Sequence, residues 1–430
     1  MADTDTPSNC SNTDYTFYDE NNKSIWNRGI SRKIGESTFV QQTLPTYRLS
    51  WSPIKICPFF LILGVFFAGM GVGIKIYADS IEEITIPYTD CISFEKPTST
   101  CAEVLNSSRA NLKKGLYVDA NDIENCSCRV EFQLLEPMNG TVYMHYALKN
   151  FYQNHLRYYS SRDENQLKGN LFDDDGDPKK PSDACGDFKE VTDSAGEKKI
   201  IYPCGLMANS MFTDVIDLYF HPPSTPNISS YQDAFSYDEN EGSRVTPMRM
   251  ELLVPLNRTG IAWESDKSDK YDFPAQFHNE KHPVWINFSK PLGWKKTLWQ
   301  LDPHTNNFSN NGVRNEDFIV WMRAAAFPQS RKLYRIINSN FRPFENGLPA
   351  GDYSLLIQYR AVDLVSDYDV SSFDGEKSII LTTTSIVAGK NMFLAVVYMS
   401  TGALCCFLAI ILFVVHKFAL KSRTLALKDD

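Results

Sequence analysis

Two long uncharged apolar runs stand near the ends of this 430-residue chain, Ile56–Ile74 and Met392–Val415. A helix needs about 20 apolar residues to cross the hydrocarbon core of a bilayer, and both runs reach that length. Uncharged stretches of this size are uncommon in soluble cores. The polar residues 79–390 that join them must then lie wholly on one side of a membrane. The expected organisation is a membrane protein with two transmembrane α-helices. It divides into an N-terminal tail (1–55), a first span (56–77), one large domain (78–390), a second span (391–416) and a C-terminal tail (417–430).

Charge sets the expected orientation. Arg48 and Lys55 precede the first run, and Lys417, Lys421, Arg423 and Lys428 follow the second. Asp79, Glu82 and Glu83 meet the first run on its other side, with Lys75 and Lys390 close to the membrane there. The excess of Lys and Arg on the terminal sides favours cytosolic termini and an exoplasmic domain. The first 55 residues lack an early apolar core, so the first span is expected to serve as its own signal anchor. Residues 1 to 40 are rich in Asn, Ser, Thr and Asp with few aliphatics, the composition of a disordered tail.

Cysteines and sequons point the same way. Cys91, Cys101, Cys126, Cys128, Cys185 and Cys204 all fall between the spans. An even number in an exoplasmic domain suggests three disulfides, and spacing alone leaves fifteen pairings open. The same region carries N-x-S/T triplets at Asn106, Asn139, Asn227, Asn257, Asn287 and Asn307, which are the expected glycosylation sites. Asn125 is set apart because its next residue, Cys126, is a disulfide candidate. Asn9 and Asn22 match too, but on this topology face the cytosol and stay bare.

Residues 79–390 hold 44 of the 52 acids and 32 of the 43 basic residues, a net charge of 32 − 44 = −12. That argues against nucleic acid and anionic lipid as partners of this domain. Period-two alternation marks strands: Val142, Met144 and Tyr146 share one side of "TVYMHY", and Tyr353, Leu355, Ile357 and Tyr359 share one side of "DYSLLIQY". "CRVEFQLL", "RMELLVPL" and "KSIILTTT" read likewise. Helical spacing links Leu148, Phe151, Tyr152, His155, Leu156 and Tyr159. A second helix is expected from Asp317, capped by Asn315 or its neighbour, with Phe318, Trp321, Met322 and Ala325 facing inward and Pro328 as breaker. The expected fold is β-rich, a jelly-roll-like antiparallel sandwich carrying a few helices.

No catalytic set emerges. The chain has no HExxH, GxSxG, Walker A or DKTG motif. The acidic run Asp173–Asp177 fails as an EF-hand, because Leu171 and Ser182 would fill its first and twelfth positions, and a solvated turn is the better reading. His278 and His282 are weak evidence for a metal. No cofactor is expected. In the first run, Gly69 and Gly73 form a GxxxG pair and Gly64 lies one turn before Ala68. Such small residues let a neighbouring helix approach closely, either the other span or a partner's helix.

Five segments in order then carry a resemblance: "FYQNHLRYYSSRDENQL" (Phe151–Leu167), "YPCGLMANSMFTD" (Tyr202–Asp214), "GIAWESDK" (Gly260–Lys267), "NEDFIVWMRAAAFP" (Asn315–Pro328) and "PAGDYSL" (Pro349–Leu355). The chain resembles the ligand-effect modulator family, the β-subunits of type IV P-type ATPases that flip phospholipids, from Gln41 through the second span. The resemblance implies a glycosylated, disulfide-bonded domain with no catalytic activity of its own. It implies a heterodimer with the ATPase catalytic α-subunit among membrane lipids, which the β-subunit helps to leave the endoplasmic reticulum and supports in transport. Residence in the endoplasmic reticulum, Golgi, endosomes and plasma membrane follows. By resemblance to a nested arrangement, Cys91–Cys128 and Cys101–Cys126 are the expected pairs, beside Cys185–Cys204. Here nine residues separate Cys91 from Cys101, a departure from the closer first pair of the family. The alternatives are a cell-surface glycan- or ligand-binding receptor and a membrane-anchored ectohydrolase.

Overall fold

The computed structural model describes residues 53–111, 125–192, 196–222, 251–272, 283–302, 310–359, 375–383, 390 and 392–426. Asn227, Asn307, His278 and His282 lie outside these residues. Helices Pro53–Asp79 and Met392–Ala426 contain the two apolar runs, and each is long and apolar enough to cross a membrane. The second continues past the apolar run into the basic C-terminal segment. The chain divides into two compact units. The helix portions up to Val65 and from Leu404 belong to one, and Phe66–Ala403 form the other.

In chain order the strands are β1 (Glu83–Pro87), β2 (Cys126–Leu134), β3 (Met138–Asn139), β4 (Val142–Lys149), β5 (Glu190–Thr192), β6 (Lys198–Ile201) and β7 (Val215–His221). There follow β8 (Leu252–Leu253), β9 (Leu256–Asn257), β10 (Phe288–Ser289), β11 (Ser330–Ile337), β12 (Gly347–Leu348), β13 (Gly351–Tyr359) and β14 (Glu376–Thr383). Two antiparallel sheets form the sandwich, one in the order β1-β14-β4-β11-β9 and the other β2-β13-β7-β8. Alternation explains which faces meet. Val142, Met144, Tyr146 and Leu148 of β4 are buried, as are Tyr353, Leu355, Ile357 and Tyr359 of β13, in one continuous core. A bulge in β11 between Leu333 and Arg335 breaks the alternation, so that Tyr334 and Arg335 are both buried.

The three bonded pairs are Cys91–Cys128, Cys101–Cys126 and Cys185–Cys204. Cys126 and Cys128 are two apart on β2 and so lie on one face of it, which places the first two bridges side by side. An isolated bridge between Ser93 and Cys128 holds the preceding loop against that strand.

Polar groups tie the sheets together inside the core. Lys377 of β14 and Asp214, just before β7, are almost wholly buried and 2.9 Å apart. The Tyr88 hydroxyl donates to the same carboxylate at 2.8 Å, and the Lys377 ammonium lies 4.1 Å from the centre of the Tyr359 ring. The Ile216 amide donates to the Tyr334 hydroxyl at 3.1 Å.

The helical stripe expected from Leu148 to Tyr159 is mostly absent. Leu148 belongs to β4, Asn150 turns the chain at φ 60°, and only Leu156–Ser160 is helical. The reason is tertiary: β4 is paired on both sides, and the Phe151 amide donates to the Pro328 carbonyl. The second expected helix is Glu316–Met322, with Asn315 as cap and Phe318, Trp321 and Met322 buried. It ends well short of Pro328, leaving Ala325 outside it, because Lys332 takes the carbonyls of Val320, Trp321 and Arg323. The acidic run forms a turn in which the Asp173 carboxylate accepts from the Asp175 and Asp177 amides.

One group makes the sandwich acid-sensitive. Burial, with help from the nearby Arg331 charge, pushes the His145 imidazole down to about 4. It is therefore neutral in the folded state at pH 7 but titrates near 6.5 when unfolded. The unfolded chain binds the extra proton first, so stability falls as pH drops from 6.5 through 4, by up to roughly 3 kcal/mol. Denaturation of His145→Gln at pH 7, 5.5 and 4 should show a flatter decline than the parent protein. An identical decline would remove His145 from this account.

Candidate partner-binding face

Four of the five segments that carry the resemblance come together in the folded domain. The Asn315 side chain accepts from the Phe318 amide at 3.1 Å and starts the Glu316–Met322 helix. Glu316 is 3% exposed, too buried for a carboxylate without partners. Its Oε2 accepts from the Ile261 and Ala262 amides at 2.8 and 2.9 Å, and its Oε1 from Lys267 at 3.0 Å. These bonds hold the "GIAW" loop on the helix.

The helix is fastened to the "PCGLMAN" segment by the Trp321 indole, which donates to the Met207 carbonyl at 2.7 Å. The Trp294 indole donates to Ala208 at 2.8 Å. Gly205 enters that segment at φ 102°, and a Cβ there would lie 2.1 Å from the Ser161 carbonyl oxygen, so only glycine allows this approach. Gln153 and Asn154 reach the other way: Gln153 Oε1 accepts from Ala325 and Asn154 Nδ2 donates to Ala326, both at 3.0 Å. Arg335 and Asp317 add a bidentate pair at 2.5 and 3.1 Å.

This stitched scaffold presents aromatic and aliphatic side chains outward. Tyr152, Leu156, Tyr159, Trp263 and Phe327 are 57, 75, 42, 65 and 73% exposed. Arg323 stacks over Trp263 at 4.3 Å and pairs with Asp266 at 3.3 Å, and Arg162 stacks over Tyr159 at 4.5 Å. A groove of about 430 Å³, lined among others by Tyr159, Arg162, Asp266, Tyr271 and Arg323, runs between them. These exposed apolar side chains make this the candidate binding face of the domain. Sequence reasoning missed this face because it assigned Tyr152, Leu156 and Tyr159 to a helical stripe. Their interleaving with Asn154, His155 and Arg157 was the available signal.

Gly69 and Gly73 are expected to meet a neighbouring helix, either the other span or a partner's. Contact between the two described helices runs through Gly71. A Cβ on it would meet Met399 Cγ at 2.6 Å and the Met399 backbone nitrogen at 2.7 Å, while Phe67 and Tyr398 rings pack 5.8 Å apart. Among the described residues nothing lies within 4 Å of a Cβ added at Gly69 or Gly73, and Gly64 is buried. A GxxxG face turned away from the chain's own second helix is open to another helix.

Residues 74–423 match the profile of the LEM3 (ligand-effect modulator 3) family / CDC50 family. The match runs from the end of the first helix through the domain and most of the second helix. The chain belongs to the CDC50/LEM3 family, the family of flippase β-subunits. It is 36% identical to mouse cell cycle control protein 50A over 404 residues, 92% of each chain. It is 35% identical to bovine cell cycle control protein 50C over 378 residues, 87% of this chain and 90% of the relative. It is 30% identical over 377 residues, 87% of each, to an Arabidopsis thaliana relative named as an ALA-interacting subunit. Within this CDC50/LEM3 chain, Asn106, Asn139, Asn257 and Asn287 are exposed, whereas the Asn125 amide oxygen accepts from Lys295 at 2.7 Å.

Proposed function

We propose that this chain is the non-catalytic accessory subunit of a phospholipid-flippase P-type ATPase, required for the export of that ATPase from the endoplasmic reticulum, its stability and its transport cycle. The observation that carries this reading is the family match across the domain and most of the second helix. The naming of one relative as an interacting subunit supports a heterodimer. Both termini are cytosolic and the sandwich is exoplasmic. The ledge of Tyr152, Leu156, Tyr159, Trp263 and Phe327 takes the exoplasmic loops of the ATPase, and the Gly69/Gly73 face takes one of its helices. Contacts that differ between transport states shift a conformational equilibrium by about 1–3 kcal/mol, the usual size of coupling energies.

Substitution at three glycines tests the reading. A Cβ added at Gly69 or Gly73 meets nothing within 4 Å among the described residues, so with Gly69→Leu/Gly73→Leu the subunit should fold and keep its disulfides while the ATPase recovered by co-immunoprecipitation drops several-fold. Gly71→Leu strikes the Met399 backbone and should disturb the helix pair itself. Undiminished recovery with the double variant would exclude the Gly69/Gly73 face as an interface.

A further inference from the structure

A second aromatic site lies beside a small sheet of three strands. There β10 pairs in parallel with β6, and β6 pairs with β5. The single turn Pro283–Asn287 leads into β10. Next to it is a groove of about 180 Å³ walled by the rings of Tyr202, Trp285, Phe288 and Trp299, with Ser289 and Thr297 also lining it. The rings form a cage. Trp285 stacks on Tyr202 at 5.9 Å, approaches Phe288 at 5.5 Å and meets Trp299 edge-on at 5.2 Å. A groove this small is below the ~300–1,000 Å³ of clefts for drug-sized ligands, so it suits a single ring.

The position of a sequon decides which ring. Asn287-Phe288-Ser289 is an N-x-S triplet, and Asn287 is exposed. Trp285, two residues before the asparagine, and Phe288 and Ser289, the two after it, all line the groove. A sugar attached to Asn287 therefore begins at the rim. N-acetylglucosamine has an apolar face of axial C–H bonds that stacks on an indole, and an edge of hydroxyl and acetamide groups that hydrogen-bonds to serine and threonine hydroxyls.

We propose that Asn287 is N-glycosylated and that its first N-acetylglucosamine seats in the Tyr202–Trp285–Phe288–Trp299 groove as a fixed part of the domain. In the transfer, Asn287 Nδ2 bonds to C1 of the sugar on a lipid-pyrophosphate-linked oligosaccharide. The C1–O bond to pyrophosphate breaks, Nδ2 gives up one proton and the lipid pyrophosphate leaves. The inference rests on the exoplasmic placement of the domain. It adds a structural role for one glycan, separate from any contact with the ATPase.

The test uses the full-length protein purified from cells that hold glycans in the high-mannose form. Glycopeptide mapping should find Asn287 occupied. Trimming by endoglycosidase H, which leaves one N-acetylglucosamine, should leave the melting temperature unchanged, whereas complete removal by peptide N-glycosidase should lower it by about 2–4 °C. Asn287→Gln should abolish that difference between the two enzymes. Trp299→Leu should cost less in the Asn287→Gln background than in the parent chain, since both act on one contact. Equal melting temperatures after the two enzymes, or strictly additive substitutions, would overturn the seat. If Trp299→Leu does not fold, the enzyme comparison alone decides. An unmodified Asn287 with other sequons occupied refutes this inference alone, while a chain bare at every sequon refutes the exoplasmic placement on which it stands.

Discussion

Lys377→Met should destabilise the β-rich domain by about 3–5 kcal/mol, the cost of removing one partner from a buried ion pair. The Lys377 side chain is 1% exposed and that of Asp214 not at all. Methionine fills the space of the lysine stem but takes the ammonium away from the Asp214 carboxylate. The Tyr88 hydroxyl remains as a donor, and it stays protonated, because burial and then the Asp214 charge hold its pKa well above the ordinary phenol range. A neutral hydrogen bond does not replace the ammonium. The double variant Lys377→Met/Asp214→Leu removes the stranded charge and should recover a large part of the loss. Denaturant unfolding of the purified protein measures all three. A Lys377→Met variant as stable as the parent would mean that the pair does not hold the two sheets together.

Glu316→Ala should cost about 3 kcal/mol or more, since it strips acceptors from the buried Ile261 amide, the Ala262 amide and Lys267 together. The same contacts give a pH signature. Burial works to raise the Glu316 pKa, but hydrogen bonds from the Ala262 amide, Lys267 and the Gly260 and Ile261 amides outweigh it and set the value below the ordinary one. A carboxylate lowered on folding contributes stability above its unfolded value, about 4.3, and loses it as pH falls through the folded value. Glu316→Gln should therefore remove part of the acid-induced loss below pH about 4, a range distinct from the His145 window above it. Melting temperature against pH reads both. Loss of Glu316 also frees the loop that carries Trp263, so ATPase recovery should fall with stability.

How far the sequence showed this depended on whether local pattern or tertiary contact decided each element. The alternations of β4 and β13 were legible because each strand keeps one face in the core over four successive inward positions. Asn315 was legible as a cap because its side chain serves its own helix. The stripe from Leu148 to Tyr159 misled because three- and four-residue spacing also fits a strand running into a loop, and the bond from Phe151 to Pro328 lies 177 positions away. Lys377 gave no warning: a lone lysine in "KSIILTTT" reads as an edge charge, and its carboxylate is 163 residues distant. Among the glycines, spacing picked out Gly69 and Gly73, but which face meets the second helix depends on how that helix is rotated. That geometry selects Gly71.

On this reading the chain works as one half of a membrane complex. The most direct measurement is affinity purification of the intact, tagged chain from detergent-solubilised membranes, with every co-purifying polypeptide identified and its stoichiometry determined. The account predicts one large P-type ATPase catalytic subunit at near one-to-one ratio. Recovery of this chain alone from cells that express such ATPases, with the domain folded and its three disulfides intact, would contradict it.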